Sequence, residues 1–255
     1  MTRVLALLSF VLLSSSAPLF AQLHRSLCAD CHYANLGRPN PSHLHEWDSS
    51  AHQRAGIGCE ACHGGNPTTV EPFLAHQSIV RGHGIDSPVH ASNLPRTCGR
   101  CHTGPSLAFR KSKHDALLRT GDRSGPTCST CHGTAAAQLL NPKALESQCN
   151  SCHGKGKKFE RLEYADGARV LLQGMREVRQ LLETAQPMIK RADDERLRTA
   201  LQYAFEQAQV PLVEAARDAH SFYFTDSQER LAVARARANA LLQRLASARA
   251  GREGR

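Results

Sequence analysis

The chain has 255 residues, enough for one large or two small domains, and a formal charge of +9. Apart from a stretch near its start, no hydrophobic run approaches the length of a bilayer span, which excludes a membrane-embedded body. Aromatic residues are only 5% of the chain, so little of any core can be aromatic.

The first element is a targeting segment. Arg3 supplies a positive start, residues 4–13 (VLALLSFVLL) an apolar centre, and residues 14–21 (SSSAPLFA) a small-residue cleavage region with the cut after Ala21. The apolar run is too short to cross a bilayer comfortably. Residues 1–21 are therefore expected to be removed, leaving a soluble, exported, periplasmic protein; the alternative is an uncleaved anchor, and membrane association is expected only through such an anchor or through a partner.

Residues 22–155 are organised around one pattern, Cys-x-x-Cys-His. It is formed by Cys28, Cys31 and His32; Cys59, Cys62 and His63; Cys98, Cys101 and His102; Cys128, Cys131 and His132; and Cys149, Cys152 and His153. This is the spacing of c-type haem attachment. Two cysteines three positions apart lie about one helical turn from each other, so their sulfurs reach both vinyl groups of one porphyrin. The next residue, His, then offers a proximal iron ligand from the same side. The copies use all ten cysteines. Five disulfides would not need a His after every second cysteine, and paired zinc knuckles would waste the histidines. A thioredoxin-like motif occurs once, in a βαβ setting that is not visible here.

The pattern predicts five covalently bound haem c groups. Their propionates, about ten negative charges, would offset most of the basic excess, so the charge is no argument for nucleic acid and none is expected as a partner. The segment is rich in Gly, Pro, Ser and Asn and shows little hydrophobic periodicity. By itself it cannot bury enough apolar surface to fold, so the haems must form its core.

The same segment is internally duplicated. Trp47-Asp48-Ser49-Ser50-Ala51-His52 precedes the second motif and Gly64, and Phe109-Arg110-Lys111-Ser112-Lys113-His114 precedes the fourth motif and Gly133. Both halves read motif, aromatic-x-x-Ser-x-His, motif-Gly, with the fifth motif as an extra. Residues 64–97 form a Pro- and Gly-punctuated connection containing His76, His83 and His90, too long to be a mere structureless loop.

From about residue 157 the character changes. Residues 161–183 place Leu162, Ala165, Ala168, Leu172, Met175, Val178 and Leu182 at three- and four-residue spacing, a helical stripe limited by Pro187. Asp193 or Asp194 can cap a second helix through Leu197, Leu201, Ala204 and Phe205, which Pro211 should kink or interrupt before His220. Asp226 or Ser227 can cap a third, with Leu231, Ala234, Ala238, Leu241 and Leu245 inward, ending in a frayed tail from Arg249. The expected fold is mainly α with extensive loops: a haem-cored segment over 22–155, then a C-terminal antiparallel helical bundle over 156–255.

Nine histidines lie outside the motifs: His24, His43, His45, His52, His76, His83, His90, His114 and His220. Each haem iron has a sixth position to fill, and the mature methionines, Met175 and Met188, belong to the helical stripe. Most haems are therefore expected to be bis-histidine and of low potential. His52 and His114 lead the distal candidates because they occupy equivalent places in the two repeats, followed by His76 and His220. One of His83 and His90, and one of His43 and His45, supply the rest, with His90 and His45 preferred.

At Trp47-x-x-Ser50-x-His52 running into the second motif and Gly64-Gly65, at Ala75-His76, at Ser112-x-His114 running into the fourth motif, and at Ala219-His220, the chain resembles the doubled-motif multihaem cytochromes c. These are relatives of the tetrahaem cytochrome that serves hydroxylamine oxidoreductase and of the pentahaem nitrite reductases. The resemblance covers residues 28–153 and, more weakly, the later helices. It implies closely packed bis-His haem pairs that conduct electrons, with the Ser-x-His, Ala-His and C-terminal His positions as axial ligands. Family members often carry a distal His two residues after the motif glycine, where this chain has Ala135.

That departure frames two readings. One is an electron carrier whose irons all have two axial ligands, working with other redox proteins such as a membrane-bound quinol oxidoreductase or a terminal reductase. The other is a reductase of a small nitrogen or sulfur oxyanion at one open iron. The nitrite reductases mark their active haem with Lys in place of the motif His, whereas all five motifs here end in His. The carrier is the expectation.

Overall fold

The computed structural model describes residues 26–35, 41–79, 84–122, 124–135 and 141–253; the targeting segment, His24 and His83 lie outside them. Among the described residues every regular element is helical and none is a strand, as the mainly α expectation requires.

The cysteine-bearing half is a string of short helices: α1 (Leu27–Ala34), α2 (Pro41–Asp48), α3 (Ala51–Arg54), α4 (Glu60–His63), α5 (Pro72–Ala75), α6 (Leu94–Gly99), α7 (Thr103–Phe109), α8 (Lys113–Arg119), α9 (Cys128–His132) and α10 (Pro142–His153). Local chemistry sets their starts. Proline stands in the first turn of α5 and α10, where its missing N–H costs no helical bond. Thr127 and Thr130 close a reciprocal capping box on α9. Gly64 and Gly133 follow the second and fourth motifs at φ 77° with ψ near ±180°, a region open only to glycine, and so end both motif helices abruptly.

This half buries few apolar side chains, chiefly Leu44, Trp47, Phe109 and Leu118. Val70, Phe73 and Ile85 remain 60%, 75% and 68% exposed. Side chains alone give it no adequate core.

The C-terminal half is built conventionally from α11 (Leu162–Lys190), α12 (Glu195–Asp218) and α13 (Phe224–Glu253), with a 3-10 turn at Ala219–Ser221. Met175, Val178, Leu182, Ala185 and Ile189 of α11 meet Leu201, Phe205, Ala208, Leu212 and Ala215 of α12 and Leu231, Ala234, Ala238, Leu241 and Leu245 of α13. The inward residue at the start of α11 is Leu171, not Leu172, and Leu162 is exposed. Asp194 caps α12 by accepting from the Leu197 N–H at 2.6 Å. Gly174 lets α13 approach, since a Cβ there would stand 2.7 Å from Leu231.

Four expectations about the helix bounds change. Pro187 does not end the first helix, which continues to Lys190, and Pro211 does not interrupt the second. An interior proline costs about 3 kcal/mol, but Pro211 is buried in the bundle, where the helix's apolar stripe offsets that cost. The third helix starts at Phe224, ahead of Asp226 and Ser227, because Phe224 packs on the core, and it stays helical past Arg249 to Glu253.

The halves pack together: α10 lies along α11, and α7 lies against α12 and the 219–221 turn. At that corner Arg230 bonds to Glu214 (2.5 Å) and Asp218 (2.7 Å), and Arg217 to Asp218 (2.7 Å). Leu201 is fully buried, so Leu201→Ala should cost about 2–5 kcal/mol. This would be read from the guanidinium midpoint of the holoprotein by circular dichroism. A loss under about 0.5 kcal/mol, the level of an ordinary surface change, would contradict the three-helix core.

Candidate haem ligand sites

Each motif histidine sits at or just beyond the C-terminal end of a helix. His32 is near the end of α1, His63 ends α4, His102 follows α6, His132 ends α9 and His153 ends α10. The paired cysteines lie within the preceding turn, and none of the ten is joined to another in a disulfide.

The duplicated Ser-x-His has one structural meaning in both halves. Ser50 is fully buried and accepts from the Gln53 N–H at 3.1 Å, capping α3. Ser112, also buried, accepts from the Asp115 N–H at 3.1 Å, capping α8. Before each, the same turn closes: the Ser50 N–H donates to Trp47 (2.9 Å), and the Ser112 N–H to Phe109 (2.8 Å). The serine fixes the helix start and the aromatic anchors the approach, so the histidine always occupies the second helical position.

The side chains then meet in pairs. His32 faces His76 with ring centroids 5.9 Å apart, His63 faces His43 at 5.9 Å, and His102 faces His52 at 5.9 Å. His153 faces His114 at 6.1 Å, and His132 faces His220 at 6.2 Å. Aromatic rings commonly pack at such distances, so one pair would mean little. Here each motif histidine has a different non-motif partner. Metal–imidazole bonds of about 2 Å on opposite sides of one iron place the two ring centroids roughly 6 Å apart. The donor sets therefore fit axial ligation of haem. Among the described residues no group of three or more His, Cys, Asp or Glu converges as it would on a bare metal ion.

Several rings are also oriented for this. Nδ1 donates to a backbone carbonyl in His76 (Pro72, 2.7 Å), His52 (Ala135, 3.2 Å), His220 (Ala216, 2.8 Å) and His153 (Phe159, 2.7 Å). That bond fixes the tautomer and leaves Nε2 free for a metal. Burial and the facing His43 hold His63 below the usual histidine range, and burial and His153 do the same to His114.

Residues 83–154 match the family model of cytochrome c7 and related cytochrome c, and residues 14–64 that of cytochrome c554 and c-prime. The chain is 31% identical over 125 residues to the C-type polyheme cytochrome OmcB of Geobacter sulfurreducens, covering 46% of this chain and 15% of that protein. It is 24% identical over 151 residues to the multiheme cytochrome MtrA of Shewanella baltica, covering 58% of this chain and 37% of that one. The chain thus spans a minor part of the length of these relatives. No solved structure matches. The matches support a multihaem c-type cytochrome.

The motifs follow one another in space as in sequence. Burial and nearby Cys28 raise the Cys59 thiol, and burial with Cys98 and Cys101 raises Cys62. The Cys98 and Cys128 sulfurs are hydrogen-bonded, which raises the first and lowers the second. Burial, with Cys131 nearby, pushes Cys149 up to about 11.

The repeat also has an offset. His52 of the first unit faces the leading motif of the second, at His102, and His114 of the second faces His153. The fifth motif thus stands where the leading motif of a third unit would.

Two preferred candidates are placed elsewhere. The structure sets His43, not His45, opposite His63; His45 is exposed with its ring 5.7 Å from Tyr33. Leu44 and Trp47 define the buried face of α2, and His43, four residues before Trp47, borders it. That spacing was the available sequence signal. His90 caps the 3-10 turn at Ala91–Asn93, with Nδ1 2.6 Å from the Ser92 hydroxyl. His43→Ala should convert one low-spin haem to high-spin in the ferric optical spectrum, while His45→Ala leaves the spectrum unchanged. The reverse result would restore His45 as the ligand.

Proposed function

We propose that the chain carries five haem c groups, one on each cysteine pair, as an electron carrier. Their axial ligands are His32 with His76, His63 with His43, His102 with His52, His132 with His220, and His153 with His114. The observation that carries this reading is that every motif histidine faces its own non-motif histidine. When bound, haem supplies a reversible one-electron iron couple.

The protein's own residues do the rest. Two neutral imidazoles would hold each iron, so the ligand set would not need to change on oxidation or reduction and small molecules would find no open position. Carbonyl acceptors at Nδ1 keep the rings from turning. The order of the motifs, first beside second through fourth beside fifth, supports passage of electrons along the segment. Thioether, ligand and burial are the levers that set each potential.

The reading includes an exported, periplasmic protein, with residues 1–21 removed, a haem segment over 22–155 and a helical domain over 156–255. Its partners are other redox proteins, such as a membrane-bound quinol oxidoreductase or a terminal reductase. Among the described residues no helix is long and apolar enough to cross a membrane. The relation to the cytochrome serving hydroxylamine oxidoreductase and to the nitrite reductases belongs to the same proposal. It is supported by His52, His76, His114 and His220, each of which faces a motif histidine. An open-iron reductase has less support, because His220 faces His132, the motif followed by Ala135.

Haem analysis of the exported holoprotein should give five haems per chain, and electron paramagnetic resonance of the oxidised form only low-spin signals. The angle between two axial imidazole planes sets the splitting of the iron d orbitals. The pairs at 88° (His32/His76) and 84° (His43/His63) should therefore give strongly anisotropic signals, and the His132/His220 pair at 13° a rhombic one. A high-spin signal that shifts on adding nitrite or cyanide would replace the carrier by the open-iron reading.

A further inference from the structure

The corner between α12 and α13 carries more than His220. Its turn ends at Phe222, whose φ of 61° places it in the left-handed region; among the described non-glycine residues only Ser78 shares a positive φ. A bulky side chain there is sterically unfavourable and persists only where its surroundings hold it. The surroundings are specific. The Phe222 ring stands 4.3 Å from the His114 ring at 89°, edge to face, and 6.2 Å from Phe109 at 70°.

His114 is the ring that needs support. His52, His76, His153 and His220 each give Nδ1 to a backbone carbonyl. The Nδ1 of His114 is buried and has no hydrogen-bond partner. A hydrogen bond at that nitrogen is the ordinary means of fixing an axial imidazole's rotation. Here the Phe222 ring stands perpendicular against the imidazole instead, and packing is what remains to set its plane. On the other side of the same site, Tyr164 of α11 lies 5.4 Å from the His153 ring at 84°.

We propose that Phe222 is a positioning residue that sets the ring plane of His114 in place of the missing Nδ1 hydrogen bond. The inference rests on the reading of His114 as an axial ligand. Because Phe222 follows directly on the turn bearing His220, one corner of the helical bundle fixes the ligands of two haem sites. Without an acceptor at Nδ1, His114 donates less electron density than its hydrogen-bonded counterparts. Its haem is accordingly set toward higher potential than if that bond were made.

The test uses the full holoprotein with Phe222→Gly, Phe222→Tyr, His114→Ala and His220→Ala. Glycine keeps the left-handed backbone and removes the ring; tyrosine keeps the ring. In Phe222→Gly one low-spin signal should shift its g values and one haem its midpoint potential, the other four haems staying as in the parent. Phe222→Tyr should restore both. His114→Ala should abolish the same signal and give one high-spin haem. A Phe222→Gly spectrum and titration superimposable on the parent would overturn the positioning role. So would a shift in the signal that His220→Ala removes, since the corner would then act through His220. A His114→Ala protein with all haems still low-spin would instead overturn the ligand reading, whatever Phe222 does. If Phe222→Gly yields too little holoprotein, Phe222→Leu answers the same question: shifted g values support the role, and parent values overturn it.

Discussion

Paired imidazoles held about 6 Å apart are the constraint around which the cysteine-bearing half is arranged. That half has many short helices and few buried apolar side chains, so ordinary packing cannot account for its order. The proposed ligand pairs supply what packing does not. Each ties a motif histidine to a segment that is not its sequence neighbour: α1 to the end of α5, α4 to α2, α3 to the stretch after α6, α8 to α10, and α9 to the far end of α12. Loading with haem and folding would then be one event, as in small metal domains.

The helical bundle works the other way round. Its stripe of Ala, Leu, Val and Phe buries a continuous core that needs no cofactor. Its role toward the rest of the chain is concentrated at one corner. There Arg217, Asp218, Glu214 and Arg230 lace the helix ends together, while His220 and Phe222 project into the motif half. Each of these part-buried ion pairs contributes modestly by itself, but together they hold a turn whose side chains reach two sites. A self-sufficient core thus braces a half that lacks one.

The duplication shows how much can be read before folding is known. Aromatic-x-x-Ser-x-His was recognisable as a repeated unit, and its parts have assigned tasks: serine caps, aromatic anchors, histidine faces a motif. The choice between His43 and His45 was harder, since a two-residue difference on one short helix turns a side chain from the buried face to solvent. His90 is no easier to place, because a surplus histidine can serve as a ligand or, as its ring does here, close a cap. Pro187 and Pro211 stay inside their helices for a thermodynamic reason: the local penalty is offset by burial of each helix's apolar stripe, which includes Pro211 itself, while Pro187 lies on the exposed face.

Sequence alone determined the mainly helical class, the five attachment motifs, the duplicated histidine and the change of character near residue 157. These depend on spacing along the chain and on side-chain chemistry, which the linear order contains. Only the tertiary structure decided which histidine faces which. A pair such as His132 and His220 is separated by the packing of α10, α11 and α12, and no local rule links its members. The same holds for Phe222: its left-handed backbone and its contact with His114 exist because the α12–α13 corner docks on α7, and docking is a property of assembled surfaces rather than of any segment.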